Sequence, residues 1–322
     1  MVAIAGGGFA GGWAWWRDVL ARPGPLPAAQ AIVVPRGGSA QLTTALVSAG
    51  AIDRPVLFRI AVWLTRDDGV PHAAELAFPA HASIHQVLAI LRSGHPVEHH
   101  LTIPEGLTAR QIEAILANAE AAAGAVPSIG EGTVLPQTYD YEYGAERTAI
   151  AARATAAMDK ALATAWADRA PGLALASPRD AAILASIVER ETARPEERPH
   201  VAAVYLNRLR LGMKLQADPT VIYFASGGAG VLDHKLTRAV LGRDDPFNTY
   251  RNAGLPPAPI CAPGLESVRA VLHPADSGDL YFVADGSGGH VFSPDYRTHE
   301  EAVTRWRALT APAGQGRPDL DR

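Results

Sequence analysis

The stretch Ala181–Thr192, AAILASIVERET, constrains this chain more than any other. A helix advancing about 100° per residue gathers Ile183, Leu184, Ile187 and Val188 on one face. Glu191 falls in the middle of that face. Glu189 points nearly the opposite way, where a solvated charge is the ordinary outcome for a glutamate. A carboxyl held against apolar surface has its ionised form disfavoured, so its pKa rises. An acid still protonated near neutral pH can protonate a leaving group. Helical phase alone therefore makes Glu191 a candidate general acid.

A helix of this kind needs a core around it, and the composition supplies one. The 322 residues allow a full core and two domains. Hydrophobic residues make up 48% and charged residues 19%, the balance of a globular chain rather than a disordered one. A net charge of −4 leaves no basic footprint, so nucleic acid is not an expected partner. The single cysteine, Cys261, excludes an intramolecular disulfide and a cysteine-rich metal site. No dinucleotide fingerprint follows a strand, and no cofactor is expected.

Residues 1–20 begin with MVAIAGGGFAGGWAWW, which is uncharged and ends in three tryptophans before Arg17 and Asp18. Tryptophan collects at the membrane–water interface. The segment reads as the outer end of a single-pass membrane anchor whose first residues are missing, since its apolar run is shorter than the roughly 20 residues of a span. Residues 21–30 (ARPGPLPAAQ) are a proline-rich linker. A compact module is expected over residues 31–96. It comprises a strand at Ala31–Pro35, a helix at Ser39–Ala49 capped by Ser39, a helix at Pro55–Trp63, a strand at Leu76–Phe78 and a helix at Ser83–Arg92. Its β-α-α-β order resembles a LysM-like module.

The second domain is expected over residues 97–310, with a polar tail at residues 311–322. Val97–Ile103 reads as a strand. His95, Glu98, His99 and His100 invite a zinc reading, but neighbouring strand residues face opposite sides and the spacing fits no standard site. A helix follows from about Thr108, then an irregular loop at Glu131–Tyr141 and a helix at Thr148–Ala167. After the helix that carries Glu191, Pro195 breaks the pattern and Arg198–Leu211 forms another helix with Val201, Val204, Tyr205 and Leu209 as its apolar stripe. Asp218-Pro219-Thr220 caps the next helix, in which Tyr223 belongs to the core. Leu280–Asp285 and His290–Ser293 make a β-hairpin, and Thr298–Arg307 closes the chain as a helix. The fold class is therefore α+β, a small module followed by a mixed α/β domain with a C-terminal hairpin.

Several ordered segments resemble one known family. IVERET at Ile187–Thr192, Glu197-Arg198, VAAVYLNRLRLGMKLQADPTVIY at Val201–Tyr223, FNTY at Phe247–Tyr250, GLPPAPI at Gly254–Ile260, HPA at His273–Ala275 and LYFVADGSGGHVFS at Leu280–Ser293 are similar to the endolytic murein transglycosylase family, also called MltG or YceG-like. The likeness runs from about Ala31 to Arg307. It implies a membrane-anchored enzyme, with its catalytic domain on the outer side of the cytoplasmic membrane, that cuts nascent peptidoglycan strands between N-acetylmuramic acid and N-acetylglucosamine and leaves 1,6-anhydro ends. Peptidoglycan synthases are the partners it implies. The family's catalytic glutamate, the second of its E-x-E-T motif, falls on Glu191. Glu189 and Glu197 are then supporting residues. Gln137 departs from the family pattern, standing where many members carry an acid.

One acid suffices for such chemistry. Ordinary glycosidases use two carboxylates, whereas the substrate's own C6 hydroxyl is the nucleophile here and gains from proximity. Gln216, Asp218, Thr220, Asn248, Thr249 and Tyr250 offer polar contacts for sugar hydroxyls and acetamido groups, the tyrosine adding a stacking face. Asp218 and Asn248 have plainer readings as a helix cap and a turn former. Two alternatives stay open, a non-catalytic peptidoglycan-binding scaffold and a hydrolytic muramidase with Asp218 as second carboxylate.

Overall fold

The computed structural model of the chain describes the backbone of residues 3–310 and the side chains of residues 12–309; the expected polar tail at 311–322 lies outside the described residues. The chain divides into two compact units. The first runs through His100 and takes in Glu120–Ala123 and Asp140–Ala145. The second holds Leu101–Ala119, Gly124–Tyr139 and everything from Glu146 on.

In the first unit, helix α1 (Ala3–Ala21) leads to strand β1 (Gln30–Val33), helices α2 (Ser39–Ser48) and α3 (Pro55–Leu64), strand β2 (Glu75–Phe78) and helix α4 (Ile84–Ser93). The β-α-α-β order expected for residues 31–96 is present. β1 and β2 pair antiparallel, with Ile32 opposite Leu76. Leu46, Phe58, Leu76, Val87 and Leu91 form a dry centre between sheet and helices. Ser83 caps α4 reciprocally with Gln86, a capping box that satisfies two free amides. Ser39 does not cap α2 as its side chain type invites. It is the first helical residue, preceded by an extended Gly38.

The membrane reading of the N-terminus is not supported. Among the described residues no helix is long and apolar enough to cross a membrane. The last turns of α1 carry Arg17 and Asp18, and Leu20 joins the apolar core of the first unit. An apolar side chain used in that way is not available to lipid.

Strand β3 (Glu98–Thr102) pairs with β4 (Thr138–Glu142). The second of these falls in a stretch expected to be irregular. Its alternation is the reason it forms a strand, since Tyr139 and Tyr141 are buried while Thr138, Asp140 and Glu142 are exposed. The histidines on β3 diverge as alternation requires, His99 to Glu75 and His100 to Asp140, both at 2.6 Å.

The second unit is organised around a helix that water scarcely reaches. In chain order its helices are α5 (Ala109–Ala117), α6 (Arg147–Ala167), α7 (Pro178–Glu191), α8 (Arg198–Arg210), α9 (Asp218–Ala225), α10 (Arg238–Leu241), α11 (Leu265–Leu272) and α12 (Tyr296–Thr310). Between the last two lies the antiparallel hairpin β5 (Tyr281–Ala284) and β6 (His290–Ser293). α7 starts at Pro178 after Ser177, whose hydroxyl accepts from the Asp180 amide. It packs against α6, α8, α9 and α11, so every residue from Ala181 to Val188 is buried. Full burial of each leucine, isoleucine or valine contributes about 1.5–3 kcal/mol. That enclosure corrects the expectation for Glu189. The face opposite the apolar stripe does not look onto solvent, and the Glu189 side chain is only 6% exposed.

Candidate active site

Glu191 is the last residue of α7, where Thr192 turns extended and ends the helix. The carbonyl end of a helix carries partial negative charge, which already disfavours a carboxylate there. The residue is partly accessible as a whole, yet its Oε2 is buried with no hydrogen-bond partner. Burial above all, and then the charge of Asp218, push its pKa up to about 7. The Tyr205 hydroxyl and the Arg208 cation pull the other way. The resting acid therefore holds its proton to much higher pH than an ordinary glutamate does.

Two of these neighbours escaped the sequence reading. Tyr205 and Arg208 are three residues apart on α8, on one helix face, and both are buried. Tyr205 was assigned to the apolar stripe by its ring. Pairing the i, i+3 spacing with the acid on the preceding helix is the signal that finds them. Arg208 donates from Nε to the Leu280 carbonyl at 2.7 Å and from Nη1 to the Leu215 carbonyl at 2.6 Å. Its guanidinium lies over the Tyr281 ring, 5.2 Å from the centre.

The segment from Gln216 onward sorts the expected contact residues into two sets. Gln216 and Asp218 are exposed and Tyr250 is partly so. Gln216 sits in the left-handed region at φ +52°, held there by its amide's hydrogen bond to the Thr249 carbonyl at 3.1 Å. Asp218 does not cap α9 with its side chain; its Oδ1 accepts the Tyr250 hydroxyl at 2.6 Å. Thr220, Asn248 and Thr249 are buried and do not line a surface. The Thr220 and Thr249 hydroxyls meet at 2.9 Å, and Thr249 Oγ1 accepts the Ala217 amide at 3.0 Å. Asn248 gives its Nδ2 to the carbonyls of Leu241 and Arg243 and takes the Tyr250 amide on Oδ1. Their polar atoms serve the wall, because a buried hydroxyl or amide must find a partner.

The supporting glutamates are both anchored. Glu189 pairs with Arg198 at 3.1 Å and accepts the Gly264 amide at 2.9 Å. Glu197 accepts from His290 Nδ1 at 2.6 Å and from the His290 amide at 2.9 Å, with the Thr192 hydroxyl at 3.1 Å. Although burial raises its pKa, these hydrogen bonds outweigh it and hold the carboxyl below its ordinary value. They tie the hairpin to the turn that follows the acid. Tyr223, expected in the core, is partly buried there and donates to Glu131 at 3.0 Å.

A mixed α/β chain whose central helix ends in a glutamate with a buried, unsatisfied Oε2, flanked by an exposed polar segment, also has relatives. A model of the YceG-like family matches residues 32–305. The chain belongs to that family. It is 38% identical over 123 residues to an endolytic murein transglycosylase of Bacillus subtilis (strain 168), covering 38% of this chain and 33% of that protein. It is 31% identical over 168 residues to one of Streptococcus pneumoniae serotype 2, covering 50% of this chain and 29% of that protein. The aligned stretches thus span about a third of the length of these relatives. A crystal structure of a YceG-like protein from Listeria monocytogenes matches with a TM-score of 0.53 at 26% identity, covering 85% of this chain and 99% of that one.

Proposed function

We propose that this chain is an endolytic peptidoglycan lytic transglycosylase in which Glu191 acts first as general acid and then as general base. The observation that carries the reading is the state of that carboxyl, with a buried, unpartnered Oε2 and a pKa raised to about 7. Glu197, whose hydrogen bonds hold its carboxyl below the ordinary value, offers no such donor. Membership of the YceG-like family and the names of the curated relatives support the same substrate class.

In this mechanism the Glu191 proton passes to the glycosidic oxygen, and the bond from that oxygen to C1 of N-acetylmuramic acid breaks with its electron pair leaving on the oxygen. The C6 hydroxyl oxygen then closes on C1, and its proton returns to Glu191. No water is consumed, and the acid is regenerated. Holding the sugar so that O6 reaches C1 is the proximity gain; Gln216, Asp218 and Tyr250 are the residues proposed to hold it. The enzyme is a lyase on this reading and works on the outer side of the cytoplasmic membrane.

A second reading has one observation in its favour. Asp218 is exposed and electrostatically coupled to Glu191, so it could activate water and make the chain a muramidase. Digesting purified sacculi and weighing the new chain ends decides between them. Anhydro ends support the transglycosylase; reducing ends, heavier by one water, refute it. Glu191→Gln is the control, and cleavage by that variant would remove Glu191 from the mechanism.

A further inference from the structure

The end of a helix is where its own hydrogen bonds give out, and Glu191 stands there. The backbone holds the next residue weakly, since the Thr192 amide reaches the Val188 carbonyl only at 3.4 Å, long for such a bond. Side chains hold it instead. The Thr192 hydroxyl donates to Glu197 Oε2 at 3.1 Å and accepts the Arg194 amide at 3.1 Å. Glu197 Oε2 also takes His290 Nδ1 at 2.6 Å, while its Oε1 takes the His290 amide at 2.9 Å. Three donors on one carboxyl favour the ionised, acceptor-only form, which assigns the shared proton to His290 Nδ1. Water scarcely competes, for Thr192 is 4% exposed and the Glu197 and His290 side chains are largely buried.

The hairpin that brings His290 is shaped for this contact. Arg194 Nη2 donates to the Ser287 carbonyl at 2.7 Å and to its hydroxyl oxygen at 3.2 Å. A Cβ on Gly289 would lie 2.6 Å from Glu197 Oε1 and 2.9 Å from Arg194 Nη1, so the turn comes this close only because it carries no side chain there. The His290 ring packs edge-on against Phe282 of the partner strand, 5.3 Å between centres.

A general acid must stay close to the oxygen it protonates, and a misplacement of about 1 Å can cost on the order of a hundredfold in rate. Helix α7 alone does not supply that precision at its last residue. We propose that His290 and Glu197 are positioning residues for Glu191, the β5–β6 hairpin fixing the backbone that carries the acid through the relay His290–Glu197–Thr192. The inference rests on the reading of Glu191 as the acid. Neither residue touches substrate in this scheme; both act through the residue bonded to Glu191.

Four variants of the full chain separate the relay from simple packing. Thr192→Val keeps the shape and loses the hydroxyl, which Thr192→Ser restores. His290→Phe keeps a ring against Phe282 and loses the Nδ1 donor, whereas His290→Asn keeps a donor in its place and loses the ring. On solubilised glycan strands kcat should fall about tenfold to a hundredfold in the valine and phenylalanine variants, with KM nearly unchanged. The serine and asparagine variants should recover most of that loss. The Glu191 carboxyl gives a readout apart from activity. Its carbon-13 titration, assigned with Glu191→Gln, should centre on about 7 in wild type. It should move towards the ordinary carboxylate value in the valine and phenylalanine variants, measured where each is folded, because a loosened acid meets water. An unmoved titration in those two, or phenylalanine and asparagine variants of His290 that cut equally fast, overturns the proposal. If wild type releases no strand ends while the titration still follows the donors, the functional reading fails and the positioning stands.

Discussion

Glu189 and Arg198 are paired at 3.1 Å with their side chains 6% and 11% exposed, two residues before the proposed acid and just after the turn that follows it. Arg198 also reaches Glu105 at 3.7 Å, and Glu189 receives the Gly264 amide at 2.9 Å. The pair therefore joins α7 to the start of α8 and to the segment entering α11. Breaking a buried pair leaves an uncompensated charge, which costs about 3–5 kcal/mol. Arg198→Met should lower the unfolding free energy by about that amount, measured by urea denaturation. The double variant with Glu189→Gln should recover part of it, because the stranded carboxylate is gone.

Glu191 makes the opposite contribution to stability. Its folded pKa is raised to about 7, above its ordinary value, by burial and then by Asp218. The folded chain thus binds the proton more tightly than the unfolded chain between those two values. Stability from this group is fully present below the ordinary carboxylate pKa and falls as pH rises towards 7. Glu191→Gln, which is always neutral, should be more stable than wild type at pH 8 by on the order of 2 kcal/mol. The difference should shrink towards zero near pH 4. Denaturation of both proteins at the two pH values measures it, and equal stability at pH 8 would mean that the carboxyl is solvated.

How much of this was legible in the sequence depends on whether a residue's partners are local. Helical phase puts Glu191 on a covered face of α7, where its Oε2 is buried, because the i, i+3 and i+4 positions of one helix are fixed by geometry; the polar groups around it, Asp218, Tyr205 and Arg208, come from other elements. The same phase misread Glu189. Its environment is made by Arg198 and Gly264, and only the fold says that the far face of α7 is covered as well. Thr220, Asn248 and Thr249 carry polar atoms that suit a sugar, and their residue types do not reveal that those atoms are taken by backbone groups up to 32 positions away. β4 was hidden because its period-2 pattern is only five residues long and follows a proline-containing loop. Tyr205 and Arg208 were visible as residues and lacked only the knowledge of which helix α8 faces.

The two buried threonines supply a check on the division between wall and surface. Thr249 Oγ1 accepts the Ala217 amide at 3.0 Å and meets the Thr220 hydroxyl at 2.9 Å, out of contact with water. Thr249→Val keeps the shape and leaves the amide without a partner, at about 1–3 kcal/mol. The expected result is a lower melting temperature with the affinity for glycan fragments, measured by calorimetry at a temperature where the variant is folded, unchanged. A selective loss of glycan affinity with stability intact would return Thr249 to the contact surface.

Asp218 separates the two chemical readings. Its charge is the second cause, after burial, of the raised Glu191 pKa, and its Oδ1 holds the Tyr250 hydroxyl at 2.6 Å. Asp218→Asn removes the like charge, so Glu191 should ionise more easily. Burial is the larger cause, so its pKa should fall only by a fraction of a pH unit and remain above the ordinary carboxylate value. A general acid must be protonated in the free enzyme, so the alkaline limb of kcat/KM for strand cleavage reports this group. That limb should move towards lower pH in Asp218→Asn, so that activity falls roughly threefold further at pH 8 than at pH 5, on top of any pH-independent loss from weaker sugar contacts. A hydrolase that used Asp218 to activate water would behave differently. It would lose activity by a large factor at every pH, and no choice of buffer would restore it. The pH profile of this one variant, with the masses of its product ends, therefore distinguishes a carboxylate that tunes the acid from one that takes part in the reaction.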